Sequence, residues 1–353
     1  MSIQFLNTSF QNPIILASSP LTETAEHIYQ AELHGASGAI LKTCCSYRKK
    51  LHYDSRKVIF SSDNKSYYAY SSFEREIMTL EEGLELYHKT TTMCSIPIIP
   101  SITALTFSPD DWLSSCLAFQ TAGAKIIQLD FFYLKNYLEQ PNFNQCLCTL
   151  LDTLLTSLSC EIMPKVNVDL PADYIFKTFS LCGIKGVSLL DSIRIPVLEP
   201  NKPFELPFES TSYFGTWQLP LSLHYTYIAK QYGLQICGGG GIDTQLDANK
   251  MLTCGASLIQ VASTILLHGY KKIEELKTIQ RFAPENHQQD KQVIAYQIQK
   301  NVCICCNTCT ESNVWCNAIS LDEDGFPFIS NKLCEKCGWC AARCPVHAIS
   351  TLY

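Results

Sequence analysis

The cysteines near the C-terminus are the residues of this sequence whose type and spacing most clearly predict chemistry. Nine of the 19 cysteines lie in the final 51 residues. Four of them form the pattern C-x2-C-x2-C-x3-C-P, with the cysteines at Cys334, Cys337, Cys340 and Cys344. Three thiolates on one tight loop, with a fourth before a proline, is the spacing that binds a 4Fe-4S cluster. The sequence therefore predicts an iron–sulfur centre in this segment.

A second set of cysteines repeats the pattern upstream, at Cys303, Cys306, Cys309 and Cys316. The first three cysteines of the two sets are offset by 31 residues, which indicates an internal repeat. In modules with two clusters, the fourth cysteine of each set serves the other cluster. We therefore predict one 4Fe-4S cluster on Cys303, Cys306, Cys309 and Cys344. The second cluster would be held by Cys334, Cys337, Cys340 and Cys316.

The upstream set departs from the usual pattern in two respects. Six residues instead of three separate Cys309 from Cys316, and Asn317 replaces the proline. Cys305 is an extra thiol that is better explained as structural than as a ligand. A pair of zinc sites is the alternative, but zinc modules usually carry two C-x2-4-C pairs. Three cysteines at successive x2 gaps favour iron–sulfur clusters.

Residues suited to holding a flavin precede this region. Gly238–Gly241 opens into a helix, where backbone N–H groups can close around a phosphate. Ser263 and Thr264 follow the next predicted strand and would supply the other half of a phosphate site. Lys42 and Lys165 each end a predicted strand, and two such cations suit the N1–C2=O edge of an isoalloxazine. Flavin exchanges single electrons with clusters and hydrides with substrates, which makes it the natural partner of the cysteine sets.

Eight short apolar runs supply the strands that must position these residues. They lie at 13–17, 38–42, 97–101, 125–130, 162–166, 186–190, 234–238 and 257–261. Helical stretches separate them, for example at 22–34, 80–93, 109–122, 172–182 and 246–254. Strands that alternate with helices pair in parallel, and eight such units match a (β/α)8 TIM barrel of the α/β class. An open doubly wound sheet is the alternative, which the count of eight disfavours.

Two insertions interrupt this repeat. Residues 43–78 follow the second strand, and their strand-like runs at 57–60 and 67–70 predict a β-hairpin. Residues 192–218 follow the sixth strand and are rich in proline. Both insertions would lie at the carboxyl ends of barrel strands, where active sites are built.

The composition along the chain predicts three regions. Residues 1–280 would form the barrel, and the polar stretch 281–301 would be a linker. Residues 302–353 would form a small α+β domain of the bacterial ferredoxin type with both clusters.

Several motifs resemble the FMN barrel of dihydroorotate dehydrogenases. They are N-P-I-I-L-A-S at 12–18, G-A-I-L-K-T at 38–43, G-G-G-I at 239–242 and G-A-S-L-I-Q-V-A-S-T at 255–264. A barrel of this kind followed by two ferredoxin-type clusters is similar to dihydropyrimidine dehydrogenases, in particular to the FMN-binding subunit of the bacterial enzymes. The resemblance spans nearly the whole chain.

This resemblance implies which residues bind the cofactor. Ala17 and Ser18 would lie under the flavin, with Lys42 and Lys165 at its polar edge and Thr43 following Lys42. The phosphate would be held by Gly215, Gly240, Gly241, Ser263 and Thr264. The implied activity is that of an oxidoreductase of pyrimidine metabolism, acting on the CH–CH group of a small ring. Two clusters would pass electrons between FMN and an external ferredoxin or a separate NAD(P)-binding flavoprotein subunit, and a homo-oligomer is compatible with the family.

The substrate side departs from the family pattern. The family has an asparagine at the end of the fourth strand and a cysteine or serine base three residues later, where this chain has Asp130 and Tyr133. Asp191 replaces a second asparagine at the end of the sixth strand. Tyr133 could donate a proton and a desolvated Asp130 could act as base, although aromatic lining is the simpler explanation of Tyr133. Two carboxylates would disfavour an anion such as orotate and suit a neutral or cationic ring.

Composition and charge exclude several other functions. A net charge of −6 without a basic face argues against nucleic-acid binding, including a flavin barrel that reduces uridine in tRNA. The sequence has no apolar run long enough for a membrane span and no basic start followed by an apolar stretch, so we expect a cytoplasmic protein. The altered residues at 130 and 133 keep one alternative open, a non-catalytic electron-transfer or regulatory subunit of a redox complex.

Overall fold

The computed structural model describes residues 2–46, 49–60, 67–104, 106–131, 142–195, 211–278, 295–311 and 316–352. The chain divides into two compact units, Met1–Arg281 and Phe282–Tyr353. Within the described ranges, no helix is both long enough and apolar enough to cross a membrane.

The first unit alternates strands and helices along most of its length. Its strands are β1 (Ile3–Phe5), β2 (Thr8–Phe10), β3 (Ile14–Leu16), β4 (Ala39–Ile40), β5 (Cys44–Cys45), β6 (Lys49–Phe60), β7 (Tyr67–Thr79), β8 (Ile98–Ile99), β9 (Ser101–Thr103), β10 (Ile126–Asp130), β11 (Glu161–Lys165), β12 (Gly186–Ser188), β13 (Ile193–Ile195), β14 (Thr211–Gly215), β15 (Gln235–Gly239) and β16 (Leu258–Val261). Its helices are α1 (Ala25–Leu33), α2 (Leu80–Met93), α3 (Pro109–Thr121), α4 (Phe143–Ser157), α5 (Ala172–Leu181), α6 (Leu219–Gln231), α7 (Gln245–Thr253), α8 (Ser263–His268) and α9 (Lys271–Lys277).

The parallel strands close into a barrel. They follow the order β9-β10-β11-β12-β15-β16-β3-β4-β8, and β8 and β9 are the two halves of one strand on either side of Pro100. On one side Leu41 N donates to Ile99 O at 2.8 Å, and on the other Gln128 N donates to Pro100 O at 2.9 Å. Because this one segment pairs with both neighbours, the sheet is a ring of eight strands. The predicted (β/α)8 barrel is confirmed.

The barrel interior is filled by inward-facing apolar side chains. Ile15, Ile40 and Met163 project inward from their strands because side chains alternate between the two faces of a strand. The antiparallel hairpin of β1 and β2 adds Phe5 and Phe10 to the same cluster. This layer positions the carboxyl ends of the strands rigidly around one mouth.

Local sequence signals explain where the helices begin. The segment Thr79–Glu82 forms a capping box, in which each side chain accepts a hydrogen bond from the backbone N–H of the other residue. Leu86 and Thr90 then follow on the buried face of α2, one helical turn apart. The predicted helix at 80–93 is therefore confirmed with its bounds.

The two insertions share one antiparallel sheet. The predicted hairpin is present as β6 and β7, and both strands extend beyond the predicted runs. In the second insertion, β13 pairs with β14, and β14 pairs in turn with β7 of the first insertion. The insertions follow different barrel strands, so no local pattern in the sequence predicts that they join.

The second unit is a small α+β domain. It contains β17 (Ala295–Ile298), β18 (Ile319–Leu321), β19 (Pro327–Ile329), α10 (Trp339–Arg343) and β20 (Ile349–Leu352). β17 pairs antiparallel with β20, and β18 pairs with β19. β17 falls within the segment 281–301, which the sequence analysis predicted to be a linker. The sequence around β17 is polar, and its pairing partner β20 lies at the other end of the unit. No local pattern therefore predicts this strand.

Candidate functional site

The carboxyl ends of β10, β11 and β12 bring together three charged side chains. Lys165 ends β11, and its Nζ lies 3.0 Å from Oδ2 of Asp191, which follows β12. Asp130 ends β10 and is the register partner of Lys165. Burial lowers the pKa of Lys165, but the negative charges of Asp191 and Asp130 outweigh this, so its pKa lies above the usual value. The lysine, only 8% exposed, is therefore a buried cation held by two carboxylates.

A chain of hydroxyl groups extends from Asp130 to the neighbouring strands. Thr43 Oγ1 donates to Asp130 Oδ2 at 2.7 Å and lies 2.9 Å from Ser101 Oγ. Ser18 Oγ is 3.2 Å from the same Thr43 oxygen, and Gln128 Nε2 donates to Ser101 Oγ at 2.8 Å. These contacts join residues that follow β3 and β4 to residues of β9 and β10. Two predicted cofactor-binding residues, Ser18 and Thr43, thus share one network with a predicted catalytic residue.

The sequence analysis also predicted that Ala17, Lys42 and Tyr133 lie at this mouth. Ala17 follows β3, where its N–H donates to Val261 O at 2.9 Å. Lys42 follows β4 and is partly buried, and its backbone N–H donates to Thr22 O. Tyr133 lies outside the described residues, so its proposed role stays a prediction.

The glycine loop after β15 packs against the start of α6. Gly240 and Gly241 have φ values of +94° and +82°, which disfavour residues with a side chain. A Cβ at Gly241 would lie 2.4 Å from Leu219 N and 3.1 Å from Gly215 O. The backbones of Gly215 and Gly241 therefore approach each other so closely that position 241 has no room for a side chain. Such a cradle of main-chain groups at a helix N-terminus fits a phosphate.

The side of the cradle that follows β16 contains contacts that the sequence analysis did not predict. Ser263 and Thr264 open α8, and the buried Thr264 Oγ1 donates to Asp243 Oδ1 at 2.7 Å. His268 Nε2 lies 3.3 Å from the same carboxylate oxygen. The hydroxyl of Thr264 is therefore engaged by a carboxylate of the protein. The only sequence signal for these contacts was the position of Asp243, just after the glycine run.

The second unit groups the thiols of the first predicted cluster. One pocket is lined by all four of its cysteines, Cys303, Cys306, Cys309 and Cys344. Burial raises the pKa of Cys309, and the nearby thiols of the other three cysteines raise it further. Cys344 follows α10 and belongs to the downstream motif. The fold therefore brings the fourth cysteine of one motif to the other motif.

The four thiols of the second predicted cluster also lie near one another. Burial raises the pKa of Cys340, and the nearby thiols of Cys334, Cys337 and Cys316 raise it further. Cys316 therefore lies near the downstream motif despite its unusual spacing. Across the described ranges, no three His, Cys, Asp or Glu side chains converge closely enough to hold a single metal ion.

Hydrogen-bond donors surround the sulfurs of the first group. Ala348 N donates to Cys344 Sγ at 3.2 Å, and Cys305 N donates to Cys303 Sγ at 3.4 Å. The Thr308 hydroxyl donates to Cys306 Sγ and lowers the pKa of that thiol. Donors of this kind stabilise thiolate charge, the form in which cysteine binds iron. Cys305 itself is exposed and contributes a backbone donor.

A closed α/β barrel and a cysteine-rich α+β unit thus make up the described chain. A family model for a 4Fe-4S binding domain matches residues 327–350. The catalytic subunit of dihydroorotate dehydrogenase B (NAD(+)) from Pyrococcus abyssi is 22% identical over 292 residues, covering 81% of this chain and 94% of that protein. The NAD-dependent dihydropyrimidine dehydrogenase subunit PreA of Escherichia coli K12 is 22% identical over 308 residues, covering 78% and 71%.

A further similarity covers a short segment. The quinone-type dihydroorotate dehydrogenase of Sodalis glossinidius is 38% identical over 63 residues, 16% of this chain and 19% of that protein. The resemblance predicted from the sequence is therefore confirmed. This chain is similar over most of its length to dihydroorotate and dihydropyrimidine dehydrogenase subunits, and it carries a 4Fe-4S binding domain near its C-terminus.

Proposed function

We propose that this chain is an FMN- and iron–sulfur-dependent oxidoreductase that acts on the CH–CH group of a small ring. The observation that carries the proposal is the convergence of Lys165, Asp130, Asp191 and Thr43 at the mouth of the barrel. The relatives that match most of the chain are named as dehydrogenases of dihydroorotate and of dihydropyrimidines. Both observations favour a redox site for a ring at this mouth.

The residues of the mouth fit FMN. Main-chain groups around Gly215, Gly240 and Gly241 would hold the phosphate, together with the backbone of Ser263 and Thr264. Ala17 and Ser18 would lie under the ring system, with Lys42, Thr43 and Lys165 at its polar edge. When bound, FMN supplies two-electron chemistry toward a substrate and one-electron exchange with clusters.

The protein side chains would orient the substrate and move a proton. Asp191 fixes Lys165 in place, and Thr43 fixes the carboxylate of Asp130. Asp130 is 2% exposed, so water is excluded from the group that would accept a proton. Tyr133 is the other candidate for moving the proton.

The cysteine groups of the second unit would hold two 4Fe-4S clusters. These clusters would exchange electrons with a ferredoxin or with a separate NAD(P)-binding flavoprotein subunit. The NAD in the names of both relatives supports a nicotinamide as the ultimate electron partner. Assembly as a homo-oligomer and a cytoplasmic location stay predictions of the sequence.

Cofactor analysis of the purified protein tests this proposal. An anaerobic visible spectrum combined with iron, sulfide and flavin assays should show about one FMN and about eight irons per chain. Iron without flavin would reject the enzyme and favour the alternative of an electron-transfer or regulatory subunit. Zinc in place of iron would overturn the assignment of the cysteine groups.

The glycine cradle makes a specific prediction about flavin binding. Gly241→Ala would place a methyl group 2.4 Å from Leu219 N, so we expect the loops to separate and FMN to be lost. Gly233→Ala is the matched control, because Gly233 has φ +76° but no atom within 4 Å of its ideal Cβ. The control should lose about 1 kcal/mol of stability through backbone strain and keep its flavin. Equal flavin content in the two variants would contradict the cradle.

A further inference from the structure

Two thiols meet between helices α4 and α5 of the first unit. Cys148 lies on α4 and Cys182 is the C-cap of α5, and their Sγ atoms are 3.2 Å apart although 34 residues separate them along the chain. Both side chains are partly buried, so a small solute can reach them. Neither cysteine belongs to the predicted cluster sets or to the barrel mouth. The proposed function therefore leaves this contact unexplained.

Two neighbouring contacts show that packed helices hold the thiols together. The ring centroids of Phe143 and Tyr174 are 6.4 Å apart, and Thr178 Oγ1 donates to Asn144 Oδ1 at 3.5 Å. Tyr174, Thr178 and Cys182 follow one another at intervals of four residues, so they form a single line along α5. The contact between the thiols continues this line. It is therefore set by the register of the two helices.

Cys182 is the thiol of the pair that keeps its proton. Burial raises its pKa, and the hydrogen bond to Cys148 and the negative charges of Cys148 and Asp152 raise it further, to about 12. The Cys182 thiol donates its hydrogen bond to the Cys148 sulfur, where a donor stabilises a thiolate. Because the thiolate is the nucleophilic form of cysteine, Cys148 is the sulfur that reacts first and Cys182 the one that follows.

We propose that Cys148 and Cys182 are a redox modification site, at which hydrogen peroxide converts the two thiols into a disulfide between α4 and α5. The Cys148 thiolate attacks one peroxide oxygen and the O–O bond breaks, which gives a sulfenic acid and a hydroxide. The hydroxide takes up the proton that Cys148 released and becomes the first water. The Cys182 sulfur then attacks the Cys148 sulfur, and the S–O bond breaks as the hydroxyl leaves with the Cys182 proton as a second water. The two sulfurs lose two electrons, and these reduce the peroxide to the two waters.

The disulfide would connect two helices next to the barrel mouth. In the described chain α4 is the next helix after β10, which ends at Asp130, and α5 is the next helix after β11, which ends at Lys165. A disulfide needs its sulfurs about 2.05 Å apart, so the two thiols must approach by roughly 1 Å. The bond would close a loop across the 34-residue separation. A closed loop restricts the unfolded chain, so the oxidised first unit should be the more stable form.

Disulfide mapping of the whole protein tests the inference. Protein purified anaerobically is treated with hydrogen peroxide, alkylated with N-ethylmaleimide and digested with trypsin without reductant. Trypsin releases Cys182 as the only cysteine of the peptide 178–185, and it releases Cys148 within the peptide 136–165. More than about half of the 178–185 peptide should be joined to 136–165, and dithiothreitol should release it. If 178–185 stays alkylated at peroxide doses that oxidise other cysteines of the chain, the inference is overturned.

Cys146 offers a matched control for the first sulfur. It lies on α4 two residues before Cys148 and is also partly buried. Cys146→Ser should form the cross-link as the wild type does, whereas Cys148→Ser should form at least about tenfold less of it. A cross-link that persists in Cys148→Ser would belong to Cys146 or Cys160, the other cysteines of its peptide, and would overturn the proposed pair.

Cys182→Ser tests the order of the two steps, and it replaces Cys148→Ser if that variant fails to fold. Without its partner, the sulfenic acid of Cys148 should persist long enough for dimedone to label it. Labelling of Cys146 in place of Cys148 would reject Cys148 as the sulfur that peroxide attacks.

The temperature of unfolding measures the effect of the bond. Peroxide also damages iron–sulfur clusters, so variants that have received the same treatment are compared before and after reduction. Reduction should lower the midpoint of the first unit by at least about 3 °C in Cys146→Ser and leave it unchanged in Cys148→Ser. Equal changes in the two variants would contradict the link between α4 and α5. None of these measurements depends on bound flavin, so the outcome is independent of the proposed function.

Discussion

Replacing Cys344 with serine is expected to reduce the iron of the anaerobically purified protein from about eight to about four atoms per chain. The lost cluster should be the one assigned to Cys303, Cys306 and Cys309, because these thiols line one pocket with Cys344. Cys344 and Cys309 are also part of the small core of the second unit. Since metal binding stabilises the fold that presents its ligands, we expect the unit to lose stability as well.

Double substitutions distinguish exchanged from unexchanged fourth ligands. If Cys303 and Cys344 serve the same cluster, Cys303→Ser combined with Cys344→Ser should still retain about four irons. Cys334→Ser combined with Cys344→Ser should lose nearly all iron, because it removes one ligand from each cluster. Loss of nearly all iron in the first double variant, with about four irons retained in the second, would show that each motif keeps its own fourth cysteine.

A neighbouring cysteine offers a matched control for these losses. Cys305 lies beside two predicted ligands, Cys303 and Cys306, but it is exposed and belongs to neither predicted ligand set. Cys305→Ser should therefore retain about eight irons per chain. Loss of iron in this variant would contradict the ligand sets, and Cys305 would then replace one of their members.

Replacing Lys165 with methionine is expected to destabilise the first unit by about 3–5 kcal/mol. The substitution preserves much of the side-chain volume but leaves the buried Asp130 and the partly buried Asp191 beside an apolar group. The cost arises from two carboxylates that have lost their cation, so it should exceed the cost of removing an exposed pair. Denaturant unfolding, monitored for the barrel, measures the difference in the free energy of unfolding.

Lys89→Met is the matched control for this prediction. Lys89 Nζ lies 2.5 Å from Glu26 Oε1, with both side chains 55% exposed, so solvent screens the pair. Its loss should change the midpoint of unfolding very little. Equal destabilisation by the two substitutions would show that Lys165 is not a buried cation in solution.

The pH dependence of the same measurement follows from the direction of the lysine shift. The pKa of Lys165 is raised in the folded protein, so its pairing contributes fully below the unfolded pKa of about 10.4. The contribution is lost as the pH rises through the higher folded value. The difference in stability between wild type and Lys165→Met should therefore be constant from pH 8 to 10 and decrease above that range.

The strands, most of the helices and the cysteine motifs were predictable from the sequence because their signals are local. An apolar run such as 125–130 predicts a strand from its own residues, and a capping box such as Thr79–Glu82 marks the start of a helix. The spacing of the cysteines likewise limits which metal centre a loop can hold. The count of eight strand–helix units then predicted the closed barrel.

The contacts of the candidate site depended on the tertiary structure. Lys165 ends β11 and Asp191 follows β12, and only the side-by-side register of those two strands places Nζ 3.0 Å from the carboxylate. The same applies to β14, which pairs with β7 of the other insertion, and to β17, which pairs with the C-terminal strand. The contact between the Thr264 hydroxyl and Asp243 is of the same kind, because it joins residues that follow two different barrel strands.

The sequence by itself therefore determined the type of fold, the candidate cofactors and the positions at which this chain carries carboxylates. The tertiary structure alone decided which charged side chains pair at the barrel mouth, as Lys165 does with Asp191. The physical reason is that periodicity and motif spacing depend on neighbours along the chain. Electrostatic pairing depends instead on distances of a few ångströms between residues that are far apart in sequence.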